Sequence, residues 1–140
     1  MNIHAVVGLA ISIWALSALA NDCIDNATNQ MQMSECTDNE FKRKDSELNK
    51  IYQQIQKKYQ QDQVFIDKLK RAQRAWLAFR DAQLEMLYPH KEDSSYYGSS
   101  LDMCTKIELT SLTVERIKTL KRWLAAHEDN DSCSGSIESA

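Results

Sequence analysis

Glycine and proline are nearly missing from this chain. Its 140 residues contain only Gly8, Gly98 and Gly135, and a single proline, Pro89. Sandwiches and barrels need many Gly- and Pro-rich turns, and a phosphate-cradling loop needs clustered glycines, so that architecture and that chemistry are set aside. Gln, Lys, Glu, Leu and Ala are plentiful instead, and all five are good helix formers. The expectation is an all-α fold of one domain, since a chain this short has no room for a second ordinary one.

Apolar spacing places the helices. Phe41, Leu48, Ile51, Tyr52, Ile55 and Tyr59 form one stripe with charges around the rest, which predicts an amphipathic helix over about 31–60. Asp62 is a candidate N-cap, and Phe65, Leu69, Ala72, Trp76, Phe79 and Met86 then recur at alternating four and three. The second helix, 63–87, must stop before Pro89. After a polar break from Tyr88 to Asp102, a third pattern runs through Cys104, Ile107, Leu112, Val114, Ile117, Leu120, Trp123 and Leu124, predicting a helix over 102–127. A short first and a long second connection give a small up-down-up three-helix bundle. Residues 128–140 hold four carboxylates and no base, and are expected to be a flexible acidic tail.

Residues 1–20 are mostly apolar and end in Ala18-Leu19-Ala20, a small-x-small pattern that reads as a signal peptide cleaved after Ala20. The remaining chain, with its helical domain at 21–127, is then expected to be exported, and the resemblance given below implies the periplasm or the outside of a bacterium. All four cysteines survive such cleavage, in a compartment where disulfides form. At 1.5 Å per residue the helix from Cys104 to His127 covers roughly 35 Å, and the six residues to Cys133 reach back only about 20 Å. Cys104–Cys133 is therefore awkward, and Cys23–Cys36 or Cys36–Cys104 is the better single bond. The pairing of Cys133 stays open, including a bond to a second copy that would make a homodimer.

Charge and spacing exclude several functions. A net charge of −3 and a pI near 5.6 do not suit a protein that neutralises nucleic-acid phosphates. No two Cys or His have metal-ligand spacing, and neither a metal nor another cofactor is expected. His90 and His127 fall at opposite ends of the predicted bundle, and Asp81 with Glu85 reads as a solvated helix face, so no catalytic residue is assigned and the chain is not read as an enzyme. Residues 37–74 hold ten bases and six acids. They read as a solvated face laced with ion pairs, with attraction to anionic envelope polymers as the sharper alternative.

The run Ala72-Gln73-Arg74-Ala75-Trp76-Leu77-Ala78-Phe79-Arg80-Asp81-Ala82 closely resembles the signature of the LprI-like lysozyme inhibitors, small exported helical bacterial proteins. Met33-Ser34-Glu35-Cys36, the segment Asp45 to Tyr52, and Leu112-Thr113 followed by Arg116 and Leu120 agree in the same order. The resemblance runs from about Cys23 to Leu120. It departs at Leu84 and Glu108, where the family commonly has cysteines, which looks like the loss of one family disulfide. Cys23 and Cys36 resemble the family's amino-terminal pair, so the resemblance favours a Cys23–Cys36 bond.

Within the signature, Trp76 and Phe79 on the apolar stripe read as core. Arg80, beside Asp81, is expected to bridge a carboxylate of the first helix, Asp45 or Glu47. The resemblance implies a binding protein that occludes the cleft of lysozyme or another peptidoglycan hydrolase. The alternatives are an immunity protein against a periplasm-delivered toxin and an envelope adaptor. The segment 91–100 suits a binding role through Glu92, Asp93, Tyr96, Tyr97, Ser99 and Ser100, because Tyr and Ser give contact area and adaptable hydrogen bonds at low entropy cost.

Overall fold

The computed structural model describes residues 18–125 and 133–137. Four helices follow one another: α1 (Ala18–Asp25), α2 (Gln30–Lys58), α3 (Gln63–Leu87) and α4 (Leu101–Lys121), with a short 3₁₀ turn at Gly98–Ser100 before the last. The fold is all-α, and α2, α3 and α4 are the three helices read from the sequence. The leader expected at 1–20 lies outside the described residues except for Ala18–Ala20, which open α1. No described helix is long and apolar enough to cross a membrane.

Local chemistry sets the boundaries. Asn29 caps α2 by accepting from the Gln32 amide at 3.0 Å, while the Gln32 side chain accepts from the Thr28 amide at 2.7 Å, so two amides that the helix leaves unpaired are both satisfied. Asp62 caps α3, accepting from Phe65 N at 2.9 Å, as the sequence indicates. α3 ends at Leu87, two residues short of Pro89.

The up-down-up course is visible in the cross-links. Gln30 donates to Met103, Lys106 pairs with Asp38 at 3.0 Å, Lys121 pairs with Glu47 at 2.9 Å, and Lys58 donates to the Trp123 carbonyl at 3.0 Å. Both helices therefore advance in the same direction. α3 runs the other way, from Phe65 stacked on Tyr59 through Gln73 opposite Arg116.

The core is concentrated at one end. Leu48, Ile51, Ile55 and Tyr59, Ile66 and Leu69, and Ile117 and Leu120 form a single buried cluster. Toward the other end, α2 buries only Cys36 and Thr37 before Leu48, α3 buries nothing beyond Leu69, and α4 buries nothing before Thr113. There a Cys23–Cys36 disulfide, with Cα atoms 5.8 Å apart, fastens α1 to α2. It is the one disulfide among the described residues, and Cys104 is half-buried with a free thiol.

Four expectations are corrected. First, α1 is a helix in its own right, although no helix is expected before about residue 31. Second, α4 stops at Lys121 and not near 127, which lies outside the described residues. Its ladder tightens to i−3 bonds at Arg122, Trp123 and Leu124, a common way to close a last turn, and this lets Trp123 and Leu124 pack on the core. Third, the tail is not free throughout. Within 133–137, Ser136 accepts from the Trp123 indole at 3.0 Å and Ile137 is only 6% exposed, as an apolar side chain gains by leaving water.

The fourth correction concerns the phase of α3. Phe79 is 55% exposed and Ala72 is exposed as well, while Phe65, Ile66, Leu69, Gln73, Trp76, Arg80, Gln83 and Leu84 are buried or half-buried. The inward stripe is rotated from the one the apolar residues suggest, and it contains polar residues because these find partners within the bundle.

Candidate functional site

Midway along α3 the structure builds a cation cluster on Trp76. The guanidinium of Arg80 lies 5.5 Å from the indole centroid and that of Arg116 lies 5.8 Å away, both within cation–π range. Arg116 donates to the Gln73 side chain at 3.1 Å, and burial pushes its guanidinium below the usual value. Arg80 donates through Nε and Nη2 to Asp81 at 3.1 and 3.0 Å. The expected bridge from Arg80 to Asp45 or Glu47 is absent. Asp45 lies level with Lys70, Gln73 and Arg74 across a shallow cleft between α2 and α3, while Glu47 faces α4 and holds Lys44 and Lys121. Trp76 and Gln73 thus brace α3 against α4 through Arg116, while Arg80 and Asp81 pair on α3 itself. Sequence reasoning missed Gln73 and Arg116, although Gln73, Trp76 and Arg80 share a helix face by their spacing.

Beyond Leu87 the chain makes a run of tight turns. Lys91, Asp93 and Tyr96 donate their amides to the carbonyls of Tyr88, His90 and Asp93. Asp93 also accepts from Ser95 Oγ at 2.6 Å and Ser95 N at 2.9 Å, an Asx-type turn. These bonds, the hydroxyl's first and then the amide's, hold the Asp93 carboxyl below the usual carboxylate range.

Aromatic rings finish the loop. Tyr97 packs edge-on to Tyr88 at 5.4 Å and to Tyr96 at 4.8 Å, and its hydroxyl accepts from the His90 amide at 3.4 Å. His90 in turn packs on Tyr96 at 4.5 Å. Gly98 has φ of 71°, a left-handed conformation that glycine adopts without penalty, and it turns the chain into α4.

The residues singled out from the sequence therefore divide. Glu92, Asp93 and Tyr96 are exposed on the crest of the loop, with Tyr96 60% accessible. Tyr97 is half-buried beneath them and holds the loop's shape. Ser99 and Ser100 belong to the 3₁₀ turn at the base, where Ser100 is half-buried. His90 joins the crest without any signal beyond its place in the loop. Glu85, at the end of α3, reaches Lys91 at 3.8 Å and ties the crest to the helix.

The basic segment divides too. On α2, Lys42, Arg43 and Lys44 pair with Asp38, Glu40 and Glu47. On α3, Lys68, Lys70, Arg71 and Arg74 pair with no carboxylate among the described residues.

Comparison with known proteins places most of this chain in one family. The family model described as lysozyme inhibitor LprI matches residues 23–120, a span that begins at the disulfide and ends at the last core leucine of α4. An uncharacterized protein of Rhizobium meliloti (strain 1021), R02472, is 29% identical over 119 residues, covering 77% of this chain and 82% of the relative. No solved structure matches.

Proposed function

This chain belongs to the LprI family of lysozyme inhibitors, and from that membership we propose that it is an exported protein of the cell envelope that blocks lysozyme or a related peptidoglycan hydrolase. The crest of the 88–100 loop is the element that enters the enzyme's cleft. The observation that carries the assignment is the loop's preorganisation. Three turn bonds, the Asp93–Ser95 turn and the packing of Tyr88, His90, Tyr96 and Tyr97 hold it in one shape before any partner arrives, so little ordering entropy is lost on binding.

The chemistry of the crest suits such a target. Glu92 and Asp93 attract a basic enzyme at long range, while Tyr96 and His90 offer rigid rings to fill a concave site. A role as an inhibitor asks for no catalytic group in this protein, only for the occlusion of one in the enzyme.

A turbidity assay of cell-wall lysis, run against C-type lysozyme and a panel of bacterial lytic enzymes, tests both levels. The expected result is inhibition of at least one enzyme by the native chain, weakened about tenfold or more by Tyr96→Ala with unchanged thermal stability. Full inhibition by Tyr96→Ala would remove the loop from the interface. No inhibition across the panel would remove the function.

A further inference from the structure

The side of α3 turned away from the bundle is itself apolar. Ala72, Ala75, Phe79, Ala82 and Met86 recur at three and four residues, and all five are exposed, Phe79 at 55% and Met86 at 69%. They make a seam of alternating core positions four helical turns long, about 21 Å. Nothing within the described chain covers it. Large exposed apolar side chains aligned in this way mark an interaction surface.

Charge decides what fits. The first half of α3 carries Asp67 with Lys68, Lys70, Arg71 and Arg74, these four bases paired with no carboxylate among the described residues, and the second half carries Arg80 held by Asp81, then Glu85. The first half is thus net positive by three and the second net negative by one, so the helix is complementary to its own reverse. We propose that this face is an isologous interface on which a second copy of the chain docks, its α3 antiparallel to the first about a two-fold axis.

In the antiparallel register, Phe79 meets Ala75 of the second copy, Ala72 meets Ala82, and Met86 lies against the aliphatic stem of Lys68. Each large side chain faces a small or flexible one, so the two backbones can approach closely. Arg71 and Glu85 sit on the same edge of the seam two heptads apart. Reversal brings Arg71 of one copy to Glu85 of the other, twice per dimer, exchanging a distant contact with Lys91 for an opposed one. A parallel pair would put Arg71 and Glu85 on opposite edges of the two seams and so forgo this pairing. The symmetry is closed, so association stops at two. This surface is separate from the loop crest, and the inference does not depend on the inhibitory reading.

Sedimentation equilibrium on the full chain, carrying Cys104→Ser and Cys133→Ser so that any dimer is noncovalent, tests it. The expected result is a reversible monomer–dimer equilibrium. Phe79→Glu should abolish the dimer with helicity unchanged, since Phe79 is not part of the core. Arg71→Glu should weaken it about tenfold by turning two attractive pairs repulsive, and Arg71→Glu with Glu85→Arg should restore it, because the charges again oppose. The inference is overturned by a chain that stays monomeric up to about 200 µM, well above the micromolar range of weak specific complexes. A dimer indifferent to Phe79→Glu, or a double reversal that fails to recover what the single one lost, overturns it equally.

Discussion

Trp76, Phe79 and Arg80 are near neighbours in one motif, and the bundle gives each a different task. Trp76 is half-buried between two guanidiniums, Arg80 leans on it while holding Asp81, and Phe79 faces solvent. Hydrophobicity alone could not have assigned these places. Over its second half α3 has two stripes of suitable spacing, and the inner one contains Gln73, Arg80 and Gln83 while the outer one is wholly apolar. The inner stripe is chosen because Gln73 and Arg116 satisfy each other and because a guanidinium can lie flat on an indole, both of which depend on a helix 40 residues away. This makes a sharp prediction. Ile55→Ala, at a fully buried position, should cost about 2–5 kcal/mol, whereas Phe79→Ala should cost less than about 1 kcal/mol when urea unfolding is followed at dilution. Equal losses would show that Phe79 is core after all.

At the scale of elements, the sequence was legible wherever a single residue type decides the backbone. Asp62 and Pro89 mark the ends of α3 because a cap and a missing amide act locally. It was not legible where an end depends on what the chain meets next. α1 has no signal of its own because an eight-residue helix is not stable alone; it is held here through Cys23. α4 ran on past Lys121 in the apolar pattern because Trp123 and Leu124 are core residues, although they reach the core from a turn. The pairing of α2 with α4, built on the apolar cluster, is fastened at its rim by two carboxylates that each bridge helices. Asp38 accepts from Lys42 and Lys106, and Glu47 from Lys121 and Lys44, and these hydrogen bonds hold both carboxyls below their usual range. The unfolded chain therefore takes up these protons first as pH drops, and the stabilisation present above about pH 4.5 is lost as pH falls through the lowered native values. Thermal melts from pH 6 to pH 3 should show a modest decline, because exposed ion pairs contribute little each, and Asp38→Asn with Glu47→Gln should flatten it. An unchanged slope in the double variant would remove these pairs from the account.

For the molecule as a whole, the uneven core is the feature with the widest reach. One end is a continuous cluster from Leu48 to Leu120; the other is held by turn hydrogen bonds, Tyr packing and a covalent staple. The two ends should therefore open with different free energies. Backbone amides around Ile51, Ile55 and Ile117 are expected to exchange with solvent only through complete unfolding, and those of residues 30–40 and 88–105 through a smaller opening that leaves the cluster intact. Reducing Cys23–Cys36 should speed exchange at the second set more than at the first, and uniform acceleration would show a single cooperative unit. The loop crest rides on the unit that opens first. A partner that grips the crest can therefore be detected at a distance from the contact itself, as slowed exchange along the first turns of α2 and α4, while the apolar cluster reports nothing.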